Sequence, residues 1–436
     1  MEILPAIVLY VEVFLLALVE KQVWKTLYTP LNCLMIPYAF ILGICLLVDG
    51  NMGFVPFYYP SIWVWVVGIA VFFIPSFFLG IVYSAATQYT HFKTFSIPSH
   101  TVRILEKITR FIIVLFVLKI AYMLLTCPFS PGSENFGRQL AGEGFFGHLF
   151  TCFMVLFIIW VLLVDKNHKR YWIYLLAFLL VDLLYAVKGW LLLPFCGSLL
   201  LRLLTGRMRM KIKLMIGVAL AGFLFFFAIY WIGFMSRSET IRTQYGMTPA
   251  EYRKDVAGYI QKHFVTYLTA GVYGLSEDMA QGIEERQPEK IYTPFVNIAR
   301  FLHIAKTTEN GQELGMEDAL NKHYLITTRL DNGTNVRTFM GTLYVFLGEW
   351  HAAVYVFLFS CFTCMVFFIA RQRGNLFLLA FLGWLYGMLS LGWFDPYVQT
   401  LTALTVPVFL LLLYEICWLA EFTGQKRLRY NQRLYR

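Results

Sequence analysis

The chain of 436 residues carries 59% hydrophobic and only 14% charged side chains, with a mean hydropathy of +0.63. Soluble domains carry about 25% charged residues, so this composition excludes a string of soluble domains and favours one polytopic bundle. The net charge of +10 does not point to nucleic acid: residues 236–338 hold 12 Lys and Arg against 13 Asp and Glu, and the excess, 24 against 13, lies in the short connectors and the tail, the positive-inside pattern of a membrane protein.

In chain order, apolar runs fall at 4–20, 31–48, 61–84, 108–127, 147–164, 171–187, 190–204, 214–235, 340–370, 376–393 and 400–420. These read as about eleven transmembrane helices. The start, Met1-Glu-Ile-Leu-Pro5, has no basic n-region and no small-residue cleavage site, so the first run is expected to be a span and not a removable signal. The segment 171–204 reads as two helices; a single broken segment would invert everything upstream. The run at 340–370 is too long for one straight span, and its first turns, near Met340 to Trp350, are expected at the surface.

Four parts result: a first bundle over 1–235, a polar segment over 236–338, a second bundle over 339–420 and a basic tail over 421–436. Lys21 and Lys25, Lys93 to Lys107, Lys166 to Arg170, Arg207 to Lys213, Arg371, Arg373 and the tail all fall on one side under this reading. That side is the cytoplasm. The N-terminus and the polar segment are then outside and the C-terminus inside. The fold class is an all-α, polytopic integral membrane helix bundle with one large extracytoplasmic loop containing short helices.

Thr248-Pro-Ala-Glu251 has the form of a capping box with proline at the first helical position. The helix it opens is expected to run to about Thr269, with Tyr252, Val256, Tyr259, Ile260, His263 and Tyr267 on one face. With Arg253, Lys254 and Lys262 elsewhere on it, this resembles an interfacial helix lying on the bilayer. A second helix is expected from Thr293-Pro294 to about Lys306, a loop over Gly311 to Glu317 and a turn at Asp331-Asn-Gly-Thr334.

The outward segments are rich in arginine. Arg138 lies in an apolar, glycine-rich neighbourhood, Arg237, Arg242 and Arg253 where the eighth span exits, and Arg329 and Arg337 where the ninth enters. A guanidinium presents a planar fork of donors suited to phosphate oxygens, so a lipid diphosphate headgroup is one reading; pairing with nearby acids is the other. Lys188 sits at the break between the sixth and seventh spans, where it can meet substrate or snorkel. Lys119 and Asp182 are the other intramembrane charges, expected as a structural pair. His263 can serve as a general base on a sugar hydroxyl or pack as an ordinary histidine; Glu277-Asp278 offer a carboxylate alternative. The eight cysteines lie in or at the edges of apolar runs, so neither a disulfide framework nor a zinc site is expected.

The sequence contains no Walker A, HExxH or GxSxG pattern, and the connector 49–60 carries one acid, Asp49. Three stretches nevertheless resemble a known family: Ala186-Val-Lys-Gly-Trp-Leu-Leu-Leu-Pro194, His263-Phe-Val-Thr-Tyr-Leu-Thr-Ala-Gly-Val-Tyr-Gly-Leu275, and Asn335-Val-Arg-Thr-Phe-Met-Gly-Thr-Leu-Tyr-Val-Phe-Leu-Gly348. They resemble the Lys/Arg-containing break, the Tyr-Leu loop segment and the Asn-Val-x-Thr re-entry of bacterial Wzy-type O-antigen and capsular repeat-unit polymerases. Glu349-Trp350 departs from the small apolar residues usual there.

The resemblance implies a glycosyltransferase of the bacterial inner membrane. It would move a growing glycan from undecaprenyl diphosphate to the next lipid-linked oligosaccharide repeat unit, without metal or cofactor. Arg138, Lys188, Arg242 and Arg337 would hold the diphosphate, with His263 and Arg337 in the catalytic roles. The lipid bilayer and a chain-length regulator are the further expected partners. An O-antigen ligase, a lipid-linked oligosaccharide flippase or other transporter, and a membrane acyltransferase are the alternatives.

Overall fold

The computed structural model describes residues 3–50, 54–86, 98–129, 131, 134–142, 144–165, 168–185, 188–209, 211–235, 242, 246–292, 294–295, 298, 334 and 336–434. The chain is an all-α membrane protein, with no β-strand among the described residues. In chain order its longer helices are α1 (Leu4–Trp24), α2 (Pro30–Val48), α3 (Ile62–Ala86), α4 (Ser99–Thr126), α5 (Gly144–Leu163), α6 (Trp172–Tyr185), α7 (Lys188–Leu204), α8 (Ile212–Met235), α9 (Pro249–Ala280), α10 (Phe339–Leu347), α11 (Glu349–Arg373), α12 (Leu376–Ser390) and α13 (Leu401–Leu434). Among the described residues six are long and apolar enough to cross a membrane: α2, α3 with its preceding turn, α4, α5, α11 and the first part of α13. Three of the expected loop features, the helix from Thr293 to Lys306, the loop at Gly311 to Glu317 and the turn at Asp331, lie almost wholly outside the described residues.

Local signals set several boundaries. Thr29 accepts from the Asn32 N–H at 3.3 Å ahead of Pro30, starting α2. Thr248 and Glu251 form the reciprocal capping box: the Glu251 N–H reaches the Thr248 hydroxyl at 3.3 Å and the Thr248 N–H reaches the Glu251 carboxylate at 2.9 Å. The segment 171–204 is two helices, ending at Tyr185 and restarting at Lys188.

Two expectations need correction. The run 340–370 is two helices, in keeping with its excess length for one straight span, but its first turns are not at the surface. It breaks at Gly348, where φ is 76° and ψ 173°, and α10 before the break is almost wholly buried. That backbone region is open essentially to glycine alone. The helix opened by Thr248 does not stop near Thr269; it continues to Ala280, and Thr269 to Ser276 are enclosed by protein.

The chain divides into two compact units. The first comprises 1–92, 262–372 and 385–404. In lipid the hydrophobic effect does not hold helices together; close packing and interhelical hydrogen bonds do. At one end of this unit, Trp24 donates to the Ser76 carbonyl at 3.1 Å, Ser76 donates to Glu20 at 2.7 Å, and Arg371 donates to the Trp24 carbonyl while stacking on Tyr83 at 4.5 Å. Gly80 makes room there, since a Cβ at that position would collide with Val23 and Trp24. Midway, Ser360 donates to the Phe72 carbonyl at 2.6 Å. At the opposite end, Tyr38 stacks on Trp65 at 3.7 Å.

The second unit comprises 93–261, 373–384 and 405–436. Its centre is α5, buried from Phe150 to Trp160, with Phe150, Phe153 and Phe157 packed around Phe178 of α6. Trp160 donates to Thr109 of α4 at 2.9 Å, and buried Glu106 binds Arg170 at 2.8 Å. Arg202 donates to the carbonyls of Val161 and Val164 at 2.6 and 2.8 Å, and Arg207 to that of Leu162 at 2.6 Å. These guanidiniums satisfy the orphan carbonyls at the negative end of α5. The expected Lys119–Asp182 pair does not form: the Lys119 ammonium instead lies 5.1 Å from the Phe146 ring centre.

Candidate functional site

The most concentrated buried charge in the first unit gathers around α9, at the end of the unit away from Trp24. Gly271 and Gly274 lie three residues apart on α9, and thus on one face. A Cβ at Gly271 would strike the carbonyls of Trp393 and Phe394; one at Gly274 would strike that of Val336. Two stretches of chain therefore lie directly on the helix backbone, one leading to Arg337 and the other to Asp395. Tyr273 fastens α9 to α2 by donating to the Cys45 carbonyl at 3.4 Å, and Ser276 fastens it to the α2–α3 connection by accepting from the Tyr58 N–H at 2.8 Å.

Arg337 is 1% exposed and its Nε is ion-paired with fully buried Asp278. Its Nη2 lies 3.5 Å from Glu285, which also binds Lys290 at 3.3 Å. The Phe346 ring of α10 lies beneath both cations, 5.4 Å from the Arg337 guanidinium and 5.5 Å from the Lys290 ammonium. Desolvating a guanidinium and a carboxylate is costly, so such a pair persists only where both are well bonded. Next to it, Asp395 is half-buried overall while its Oδ1 is enclosed without a hydrogen-bond partner. Burial pushes its carboxyl up to about 8, against the lowering influence of Arg337. Burial, reinforced by Asp395, also raises the phenol of Tyr267. Tyr267 packs on Phe394 at 4.7 Å, and His263, one turn earlier on α9, sits 6.4 Å from the Tyr267 ring.

The arrangement thus sets a protonatable carboxyl between an ion-paired arginine and the Tyr267 phenol. His263 lies one turn further along α9, fifteen residues and roughly 22 Å of helix from the Asp278 that binds Arg337. The arrangement can relay or accept a proton near neutral pH, and it holds a cation fixed in a site of low dielectric.

Of the residues singled out in the sequence, His263 and Arg337 belong to the first unit, at separate levels along α9. Arg138, Lys188 and Arg242 belong to the second unit. There Arg138 is exposed and acts electrostatically on Tyr185, and Gly137 beside it touches the Tyr185 carbonyl. Lys188 is the first residue of α7. Arg242 is half-buried, with its Nε enclosed and without a hydrogen-bond partner. Arg237 and Arg329 lie outside the described residues. Asp395, Glu285 and Lys290 were not singled out by sequence reasoning. Asp395 had a readable signal, a lone acid before proline in Gly392-Trp-Phe-Asp-Pro396.

The chain belongs to a protein family of unknown function (DUF6337), whose pattern matches residues 53–421. Neither a curated protein nor a solved structure matches it.

Proposed function

We propose that this protein is a polymerase that transfers a growing glycan from undecaprenyl diphosphate to the next lipid-linked repeat unit. In this reading the chain spans the bacterial cytoplasmic membrane about eleven times. The polar segment 236–338 and the N-terminus lie outside, and the tail lies inside. The observation that carries the reading is the buried charged cluster of Arg337, Asp278, Glu285 and Lys290, with Asp395 close enough to feel the Arg337 charge, in a bundle built of membrane-length helices.

The chemistry is a displacement at the anomeric carbon of the donor. The acceptor hydroxyl oxygen forms the new glycosidic bond, the bond from that carbon to the diphosphate oxygen breaks, and the hydroxyl proton passes to a base. His263 takes that proton. The departing diphosphate carries the negative charge that cations must stabilise. Arg138, Lys188 and Arg242 are assigned to it as contacts. Arg337 shares the role on condition that it exchanges a carboxylate oxygen for a phosphate oxygen, because Asp278 and Glu285 already engage it.

The deciding experiment is the glycan ladder of a deletion strain complemented with alanine variants at these five assigned positions. Accumulation of one repeat unit on the carrier supports polymerisation. Full-length polymer left unattached indicates a ligase, and material trapped on the cytoplasmic leaflet indicates a flippase. Full-length surface polysaccharide from all five single variants overturns the residue assignments.

A further inference from the structure

A groove of about 350 Å3 runs along the first unit between α3, α10 and α11. Its walls are apolar or small, among them Trp63, Val67, Met340, Leu343, Ala352 and Ala353. Gly68 gives it depth, since a Cβ there would meet the Met340 sulfur at 2.8 Å. Trp63 and Val67 are 41% and 56% exposed on a helix of membrane-spanning length, so the groove opens sideways, toward hydrocarbon. One end is polar. Tyr344 and Glu349 border it there, and Arg286 and Glu284 act electrostatically on Tyr344.

Arg286 differs from the other cations of this unit's charged cluster. Arg337 is enclosed and Lys290 nearly so, whereas the Arg286 side chain is 44% exposed. Its N–H bonds the Val345 carbonyl at 3.1 Å, and its guanidinium lies across Gly348, where a Cβ would collide with it. Glu284 holds the guanidinium by two contacts, at 2.6 and 3.1 Å. An exposed surface pair of this kind is weak, and a phosphate offers the same fork more charge than a carboxylate does.

We propose that the groove seats the hydrocarbon chain of a single-chain lipid phosphate, with Arg286 as the contact for its phosphate. The inference rests on the carrier-lipid reading above for the identity of the chain and supplies a docking place for it. One trough accommodates one tail, which favours a polyprenyl phosphate over a two-tailed phospholipid. Glu284 competes with the phosphate for the same guanidinium, and Glu349 adds an opposing charge at the mouth.

The test uses the full chain in detergent micelles, with binding of undecaprenyl phosphate, neutral undecaprenol and phosphatidylglycerol followed by native mass spectrometry. Arg286→Gln should weaken undecaprenyl phosphate about tenfold and leave undecaprenol unchanged. Glu284→Gln should strengthen the phosphate lipid. Ala353→Trp should weaken both prenyl lipids alike; Val67→Trp, at an exposed position, gives a second filled groove if the first variant melts early. Unchanged binding in Arg286→Gln and in both filled variants overturns the proposal, as does equal competition by phosphatidylglycerol. Polymerisation has its own readout. A normal glycan ladder with no groove binding sinks the groove alone. Groove binding in a strain that leaves full-length unattached polymer sinks the polymerase reading alone.

Discussion

Trp65 and Thr338, 273 residues apart in the chain, share a hydrogen bond of 2.9 Å in which the indole N–H donates to the hydroxyl. The same hydroxyl caps α10, accepting from the Gly341 N–H at 3.0 Å. One oxygen therefore joins α3 to the point where the polar segment returns to the bundle.

Thr338→Val should remove both bonds and strand a buried indole N–H. The expected loss is about 1–3 kcal/mol, measurable as a lower melting temperature in detergent. Trp65→Phe, which deletes the donor along with part of the ring packing, serves as the partner in a double-mutant cycle. If the double variant costs no less than the sum of the two single changes, the pair is not coupled.

Asp278→Ala should destabilise the protein by about 3–5 kcal/mol, because it leaves the Arg337 charge buried without its main partner. Arg337→Met with Asp278→Leu should recover much of that loss, since an apolar pair removes both desolvation costs. Melting curves of the two variants decide this. A double variant no more stable than the single one would show that the ion pair itself, and not the orphaned charge, matters.

Asp395 gives a pH dependence with a definite sign. Its folded-state carboxyl, raised to about 8 by burial, lies above the unfolded value of about 3.9. A raised acid binds its proton more tightly in the folded state. Its contribution is therefore complete below about pH 4 and is lost as pH rises toward about 8. Asp395→Asn should flatten this slope, so that the variant gains on the wild type between about pH 5 and 8. Parallel stability profiles for the two proteins would refute the assignment.

Gly348→Ala should cost about 1–3 kcal/mol, because its backbone occupies a region that other residues avoid, and it should also displace the Arg286 guanidinium. Gly258, where an added Cβ meets nothing within 4 Å on a helix, is the matched control. Ala at that position should be neutral or stabilising by up to about 1 kcal/mol.

The sequence shows the helices more readily than it shows the cluster. Apolar runs marked α2, α3 and α5 within a few residues, because a lipid-facing or core helix must be apolar along its whole length. The Thr248 capping box was legible because its two partners lie three residues apart. The break at Gly348 was not, since both flanks are apolar and periodicity continues across it. Nor could a sequence window extend α9 to Ala280: Gly271 and Gly274 lower helix propensity locally, and what offsets them is contact with the chain at 336 and 394. Of the site, His263 and Arg337 stood out by residue type. Asp278 was offered only as an alternative base, and its pairing with Arg337 spans 59 residues. Asp395 passed unnoticed because its influence comes through space.

Arg202, Arg207 and Arg371 carry a further meaning. All three spend guanidinium N–H groups on backbone carbonyls inside their own unit. They are internal staples as much as charges facing a lipid headgroup. Counting them as topology signals overstates how many basic residues are available to hold the chain's orientation, and leaves more of that task to lysines such as Lys21 and Lys25. Replacing any of the three arginines with glutamine should loosen a helix end before it turns the protein around.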